Sequence, residues 1–371
     1  MDIGRDPVMR VLLVCDWFLK YTAGLARGLV DADAVVALLC RDHAREFDDR
    51  VAERQALLDD LAERGVELIV LPGRVSSSAG LVALPRLRRQ IAQWAPDVAH
   101  AQSNYEPRLL ALSRPYPSVL TVHDPVPHPG QPELGVVQRR IETAWRRRAD
   151  RIVVHGDALR DALEPSQRAR AVVIPHGVRT ATRPLAVPNA PVVVLLGRLE
   201  PYKGVDVLVR AMPIVWRHRP DVRLVVAGVG PACADVPDDP RIDRRFGYVP
   251  EAALGELLAE ASLVVLPYTE ASQTGVGSTA VAAGVPVVVT DVGALADLTV
   301  DPSFVVPAGD AEALAAAILQ HIDDGVDVRQ QVVDLARRTL SWEVVARRHL
   351  ALYDTVCRRE PVRRGAPRWS T

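Results

Sequence analysis

"VVVLLGRLEPYKGVDVLVRAMPIVW", residues 192–216, decides the fold of this 371-residue chain. Five apolar residues, 192–196, stop at Gly197 and Arg198. A short polar turn follows, and from Val205 apolar residues return at helical spacing. A buried strand that runs through a turn into an amphipathic helix is one half of a parallel βαβ unit. Ligands of open α/β sheets bind at the carboxyl ends of the strands. Arg198 and Lys203 stand at such an end, beside a helix start, where two cations and free backbone amides suit an anion such as a diphosphate.

The unit repeats in both directions. Toward the C-terminus come "VRLVVAGVG" (222–230), "SLVVLPY" (262–268) and "VPVVVTDVG" (285–293). Toward the N-terminus come "RVLLVC" (10–15), "AVVALLC" (34–40), "VELIVLP" (66–72), "PDVAHA" (96–101), "PSVLTVHD" (117–124), "RIVVHG" (151–156) and "RAVVIPHG" (170–177). Uniformly apolar strands separated by helices of about ten residues argue for parallel sheets covered on both faces. The proline-rich "RTATRPLAVPNAP" (179–191) interrupts the pattern and reads as a linker. The expectation is an α/β protein of two doubly wound, Rossmann-like domains, residues 1–180 and 181–340, facing each other across a cleft. Residues 359–371 read as a disordered tail.

Composition narrows the function classes. Forty-five basic residues against 46 acidic give a net charge of −1, which asks for no nucleic-acid partner. The four cysteines are scattered, without a Cys-x-x-Cys pair, and predict reduced thiols in a cytoplasmic protein. No apolar run reaches the roughly 18 to 20 residues of a membrane span. The basic segment "VVQRRIETAWRRRADR" (136–151) reads first as a charged, solvent-facing helix and second as a peripheral contact with an anionic membrane.

Residues after strands are the candidates for chemistry. "GVGSTAVAAG" (275–284) offers a second helix start, with the backbone amides of Gly275, Val276 and Gly277 free for phosphate oxygens. Gly197, Gly230 and Gly247 follow strands in the same half. His123 ends a strand in "VHDPVPH" and could meet a sugar hydroxyl or move a proton. His100, His155 and His176 also follow strands, and Gly177 after His176 suggests a turn with positive φ. The histidines lack metal-ligand spacing. The nucleophile elbow, the dinucleotide fingerprint and the Walker A lysine pattern are all missing. What is left is a cleft for a diphosphate and a polyhydroxylated partner.

Taken together, "VVLLGRLEPYKGVDVLVRAMP", "VRLVVAGVGP", "FGYVPEAALGELLAEASLVVLPY", "GVGSTAVAAGVPVVVTDVGALADL", "VVPAGDAEALAAAI" and "SWEVVARRHLALY" resemble the C-terminal half of the family 4, GT-B fold, retaining glycosyltransferases. "PDVAHAQS", "TVHD", "RIVVHGDALRDAL" and "VVIPHGV" resemble the N-terminal half more loosely. The resemblance implies transfer of a sugar from a nucleoside-diphosphate-sugar to a hydroxyl acceptor, with no metal or other cofactor. It implies that Arg198 and Lys203 hold the donor phosphates. Gly275 and Val276 would receive the sugar and distal phosphate, and His123 would face the sugar's C6 hydroxyl. Tyr248, after Gly247, would edge the base pocket, and Ala23 and Gly24 would lie against the phosphates or acceptor. A last helix, 341–358, would cross back to the first domain.

One stretch departs from the family. Its two usual glutamates fall, by count from Gly284, on Ala271 and Thr279, and Glu270 is one residue out of register. A "Gln-Ser-Gly" variant of the family resembles "SQTGV", which implies Gln273 and Thr274 as donor-sugar contacts and a single ribose bond from Thr279. The resemblance implies front-face transfer, in which the leaving phosphate helps deprotonate the acceptor. The missing carboxylates keep a second reading open, a non-catalytic nucleotide-sugar or sugar-binding protein on the same scaffold. Epimerisation or phosphorolysis on that scaffold is a third.

Overall fold

The computed structural model describes residues 8–358, apart from 43–45, 48–49, 74–77, 104, 126–134 and 272–273. The expected tail, 359–371, and Gln273 therefore lie outside the described residues.

Two parallel sheets organise the chain. The first takes β1 (Arg10–Cys15), β2 (Val35–Arg41), β3 (Glu67–Leu71), β4 (Val98–Gln102), β5 (Ser118–Thr121), β6 (Arg151–Val154) and β7 (Ala171–Val173) in the order β3-β2-β1-β4-β5-β6-β7. The second takes β8 (Val192–Arg198), β9 (Arg223–Val229), β10 (Ile242–Phe246), β11 (Leu263–Leu266), β12 (Val287–Thr290) and β13 (Val305–Val306) in the order β10-β9-β8-β11-β12-β13. Every strand pairing is parallel. The order reverses beside β1 in one sheet and beside β8 in the other, so each sheet opens its crevice at its first strand. That is why the β8 turn read above holds the position it does.

Helices cover both faces. In the first domain α1 (Leu19–Asp31) and α2 (Val51–Glu63) pack on one face, and α3 (Ser78–Trp94), α4 (Pro107–Ser113) and α5 (Val136–Arg148) on the other, followed by the short α6 (Asp157–Asp161) and α7 (Pro165–Arg168). In the second domain come α8 (Val205–His218), α9 (Glu251–Glu260), α10 (Gly275–Ala282), α11 (Ala311–His321) and α12 (Val326–Thr339). Separate apolar cores lie on the two faces of each sheet, which is the doubly wound α/β arrangement expected from the strand composition.

The proline-rich linker is pinned. Ala181 N–H donates to the Ala282 carbonyl at 2.9 Å, and Leu185 N–H to that of Ala283 at 3.0 Å, so it runs along the end of α10. The last helix, α13 (Trp342–Cys357), leaves the second domain and buries Val345, Ala346, Tyr353 and Val356 in the core of the first. Its first residue, Trp342, fills space left by three glycines. A Cβ on Gly24 or Gly177 would come within 2.2 or 2.3 Å of the indole, and one on Gly28 within 2.7 Å of the Trp342 carbonyl oxygen.

Candidate functional site

The second domain builds a crowded floor at the ends of β8, β9 and β11. Gly197, Gly228 and Gly230 have φ of 120°, 142° and 155°, in the region that disfavours side chains. Their bare backbones are also required for contact. A Cβ on Gly228 would lie 1.8 Å from the Gly197 carbonyl oxygen, and one on Gly230 would lie 2.4 Å from that of Leu199. Gly204, at φ 67°, brings the turn Pro201–Lys203 against the Pro267 carbonyl that follows β11.

Lys203 sits on this floor. Its Nζ lies 3.8 Å from the centroid of the Tyr268 ring and 5.0 Å from that of Tyr202. Burial lowers its pKa to about 7, and the neighbouring charge of Arg198 acts in the same direction. Asp124, from the first domain, and Glu200 pull the other way. Arg198, at the end of β8, is exposed. Lys203 is one of two lysines in a chain with 43 arginines.

The start of α10 joins the same place. Gly197 is so close to α10 that a Cβ on it would meet Val276 Cγ2 at 3.3 Å. The amides of Gly275 and Val276 precede the first i→i−4 bond of the helix, and a Cβ on Gly275 would meet open space. Gly277 has a packing reason instead, because a Cβ there would collide with Leu266 and Leu298. The end of β8 and the start of α10 thus lie side by side, and Lys203 feels the charge of Arg198.

Thr274 corrects an expectation. Its hydroxyl accepts from Gly277 N–H at 3.3 Å as the N-cap of α10, and lies 3.4 Å from the Tyr268 hydroxyl. Only 5% of the residue is exposed, so its side chain holds the helix start and does not reach into the cleft as a donor-sugar contact. Thr279 donates its hydroxyl to the Gly275 carbonyl at 2.8 Å, keeping acceptor capacity on its oxygen. Glu270 is exposed and Ala271 half-buried.

The turn that follows β10 is more open. Gly247, at φ 139°, donates its N–H to the Gly228 carbonyl, and no atom lies within 4 Å of where its Cβ would stand. Tyr248, 60% exposed, meets the first domain: Arg50 Nη1 donates to its hydroxyl at 2.6 Å, and the guanidinium lies 4.9 Å from the ring centroid. Neither Arg50 nor Tyr268 was legible as part of the site.

The first domain overturns three more expectations. Ala23 and Gly24 lie inside α1, Ala23 buried in the core of the first domain and Gly24 against Trp342 of α13. The amides of Leu19 and Lys20 that open α1 already donate to the Glu46 carboxylate at 2.5 and 3.3 Å. Gly177 is not among the glycines of positive φ, and its lack of a side chain makes room for Trp342. His123, 1% exposed, presents no ring nitrogen to a sugar. Its Nδ1 meets His155 Nε2 at 3.1 Å and its Nε2 meets Gln102 at 3.0 Å. Phe18 stacks on its face, centroids 3.9 Å apart. His155 and His176 gather in the same cluster, and His100 bonds Tyr353 of α13. Among the described residues no three or more His, Cys, Asp or Glu side chains are grouped to hold a metal ion. None of the described helices is long and apolar enough to cross a membrane.

Comparison with known proteins gives the arrangement a lineage. Residues 20–182 match the model of Glycosyltransferase Family 4, and residues 190–324 that of Glycosyl transferases group 1. A phosphatidyl-myo-inositol mannosyltransferase of Mycobacterium tuberculosis is 30% identical over 336 residues, covering 82% of this chain and 86% of the relative. That of Mycolicibacterium smegmatis is 27% identical over 375 residues, covering 94% of each. Among solved structures, Anabaena HepE in complex with UDP and glucose superposes with a TM-score of 0.67 at 17% identity, covering 94% of this chain and all of that one.

Proposed function

We propose, from the premise that this chain belongs to the family 4 (group 1) glycosyltransferases of GT-B fold and moves sugar from a nucleoside-diphosphate-sugar to a hydroxyl acceptor, that the transfer retains the anomeric configuration and is driven by positive charge of the protein itself. What supports the role of charge is the Lys203 amine over Tyr268 beside the charge of Arg198, with Gly197 packed against the open start of α10. Arg198 and Lys203 hold the diphosphate, and the amides of Gly275 and Val276 receive its distal phosphate and the sugar. The nucleoside lies past Gly230 and Gly247 toward Tyr248, and Thr279 offers one oxygen to the ribose. The hydroxyl acceptor enters from the domain formed by residues 1–180.

The anomeric C–O bond breaks with its electron pair leaving on the diphosphate. Two cations and a helix N-terminus oppose the charge that develops there, and do so without reorganising at the moment of reaction. The acceptor oxygen forms its bond on the face the phosphate leaves, and its proton passes to the departing phosphate oxygen. This accounting needs no side chain as covalent nucleophile. His123, with both nitrogens engaged, has no proton-transfer role.

Calorimetric titration with UDP, GDP, ADP and dTDP tests the seat. At least one should bind, and Arg198→Ala and Lys203→Ala should each weaken it roughly tenfold or more, the worth of a charge-assisted hydrogen bond. Undiminished binding in both variants would sink the diphosphate assignment. The anomeric proton coupling of the product decides retention against inversion.

A further inference from the structure

We propose that Trp17 is the stacking platform for the acceptor, and that the acceptor presents a hydroxylated saturated ring, a pyranose or a cyclitol, with its C–H face on the indole. The inference rests on the reading above that the hydroxyl acceptor enters from residues 1–180, and it names the side chain that meets it.

Strand order places Trp17 in the cleft. The domains touch on either side of it. Arg50, after β2, donates to the Tyr248 hydroxyl, and a Cβ on Gly156, after β6, would lie 2.5 Å from the Cβ of Ala294, after β12. In the first sheet the end of β1 lies between those of β2 and β6, so the turn 16–18 that follows β1 stands between the two contacts. β1 is also the strand beside which the sheet order reverses, where ligands of open α/β sheets seat.

That turn is held at every residue but leaves one side chain unused. Asp16 pairs with the buried guanidinium of Arg41, at the end of β2. The Trp17 carbonyl accepts from the Cys15 thiol at 2.7 Å. The Phe18 carbonyl accepts from the N–H and the hydroxyl of Thr22 at 2.9 and 2.8 Å, and the Phe18 ring lies 3.9 Å from that of His123, centroid to centroid. Phe18 has φ of 65°, in the left-handed region that a bulky side chain seldom enters. A backbone so disfavoured persists where its surroundings over-determine it, and such positions cluster at ligand sites. Here the strained residue joins Trp17 to α1.

The indole is what the turn leaves over. Trp17 is 41% exposed, packs against neither core of the first domain, and its Nε1–H has no partner among the described residues. It therefore offers an apolar plane with one donor at its edge, on a rigid side chain that loses little freedom when it binds. A pyranose or cyclitol complements both, with C–H groups on one face and hydroxyl oxygens around the rim, one of which accepts from Nε1–H. A flat aromatic without such oxygens would cover the plane and leave the donor idle.

The indole ¹H–¹⁵N signal of Trp17 in the labelled full chain, assigned by its absence in Trp17→Phe, reads the platform. The probes are the methyl pyranosides of glucose, mannose and N-acetylglucosamine, myo-inositol, phenol and UDP. At least one pyranoside or the inositol should shift that signal saturably and leave the other indole signals in place. Trp17→Ala should weaken the binding of that probe roughly tenfold, and Trp17→Phe only about threefold, as for an aromatic anchor that keeps its plane and loses its donor. No shift from any ring probe, undiminished affinity in Trp17→Ala, or a response to phenol or UDP alone overturns the proposal. The last two responses would make the indole an aromatic or a nucleotide seat. Should Lys203→Ala leave nucleoside diphosphate binding intact while ring probes still move the Trp17 signal, the diphosphate seat has failed and the platform stands. The reverse pattern removes the platform alone.

Discussion

Lys203 Nζ lies 3.8 Å above the Tyr268 ring, on a floor that takes the amine out of water. Burial first, and the charge of Arg198 after it, bring its pKa down to about 7 against the opposing pull of Asp124 and Glu200. In the ligand-free protein the amine thus changes charge near neutrality. A diphosphate favours the charged form, so binding at pH 7.5–8 should take up a proton. Calorimetry in buffers of different ionisation enthalpy should show that uptake, and Lys203→Met should abolish it. Donor affinity should weaken as pH rises above about 7. The stability of the ligand-free protein should move the opposite way. With the folded pKa depressed below that of an unfolded lysine, the folded state binds fewer protons between about 7 and 10.5, and this group's penalty fades as pH rises through that window. Proton release on binding would contradict the assignment.

Thr274 predicts a separation between structure and affinity. Its hydroxyl caps α10, so Thr274→Val should cost about 1 kcal/mol of stability, the usual worth of an N-cap. Because the amides of Gly275 and Val276 make the proposed donor contact, nucleoside diphosphate binding should weaken only through a loosened helix start, by about threefold. Urea unfolding and calorimetry on the same variant test both. A loss of binding near that of Lys203→Ala would return Thr274 to the donor's contacts.

The fold was legible because the strands are short, apolar and bounded by glycine, a pattern that only a covered parallel sheet satisfies. The β8 turn stood out as a candidate for a similar reason, since strand, glycine, two cations and helix start are consecutive in sequence. What failed depended on distant partners. Gly24 looked like a loop glycine, and nothing local reveals that Trp342, more than 300 residues on, lies against it. His123 looked open because its neighbours are prolines, while the groups that close it come from Phe18, Gln102 and His155 on three other segments. Thr274 looked like a ligand contact, but a threonine directly before a helix is more simply its cap, and that reading was available.

Arg50 and Tyr248 meet from opposite domains. The pair is partly exposed, so its coupling should be modest, about 0.5–1 kcal/mol in a double-mutant cycle of Arg50→Ala and Tyr248→Phe or Tyr248→Ala on unfolding free energy. Arg50→Ala should also raise the radius of gyration of the ligand-free protein in small-angle scattering. Added nucleoside diphosphate should reverse that increase if the base seats at Tyr248. Zero coupling together with an unchanged radius would show that the contact does not hold the domains together.

Trp342 ties the last helix to the first domain, and the three glycines around it set the strongest stability prediction. At Gly24 and Gly177 an added Cβ would fall within 2.3 Å of the indole, and at Gly28 within 2.7 Å of the Trp342 carbonyl oxygen. None of the three has positive φ, so alanine would be tolerated by the backbone and resisted only by packing. Gly24 and Gly28 sit inside α1, where alanine would otherwise stabilise a helix by up to about 1 kcal/mol. Overpacking costs about 1–3 kcal/mol and should win. Gly24→Ala and Gly177→Ala should therefore lower the unfolding free energy, and Trp342→Ala combined with either should erase most of the glycine effect, because the colliding ring is gone. Thermal and urea unfolding of the five variants give the cycle. If the glycine substitutions stabilise the protein, or cost the same with and without the tryptophan, then Trp342 is not what those glycines make room for.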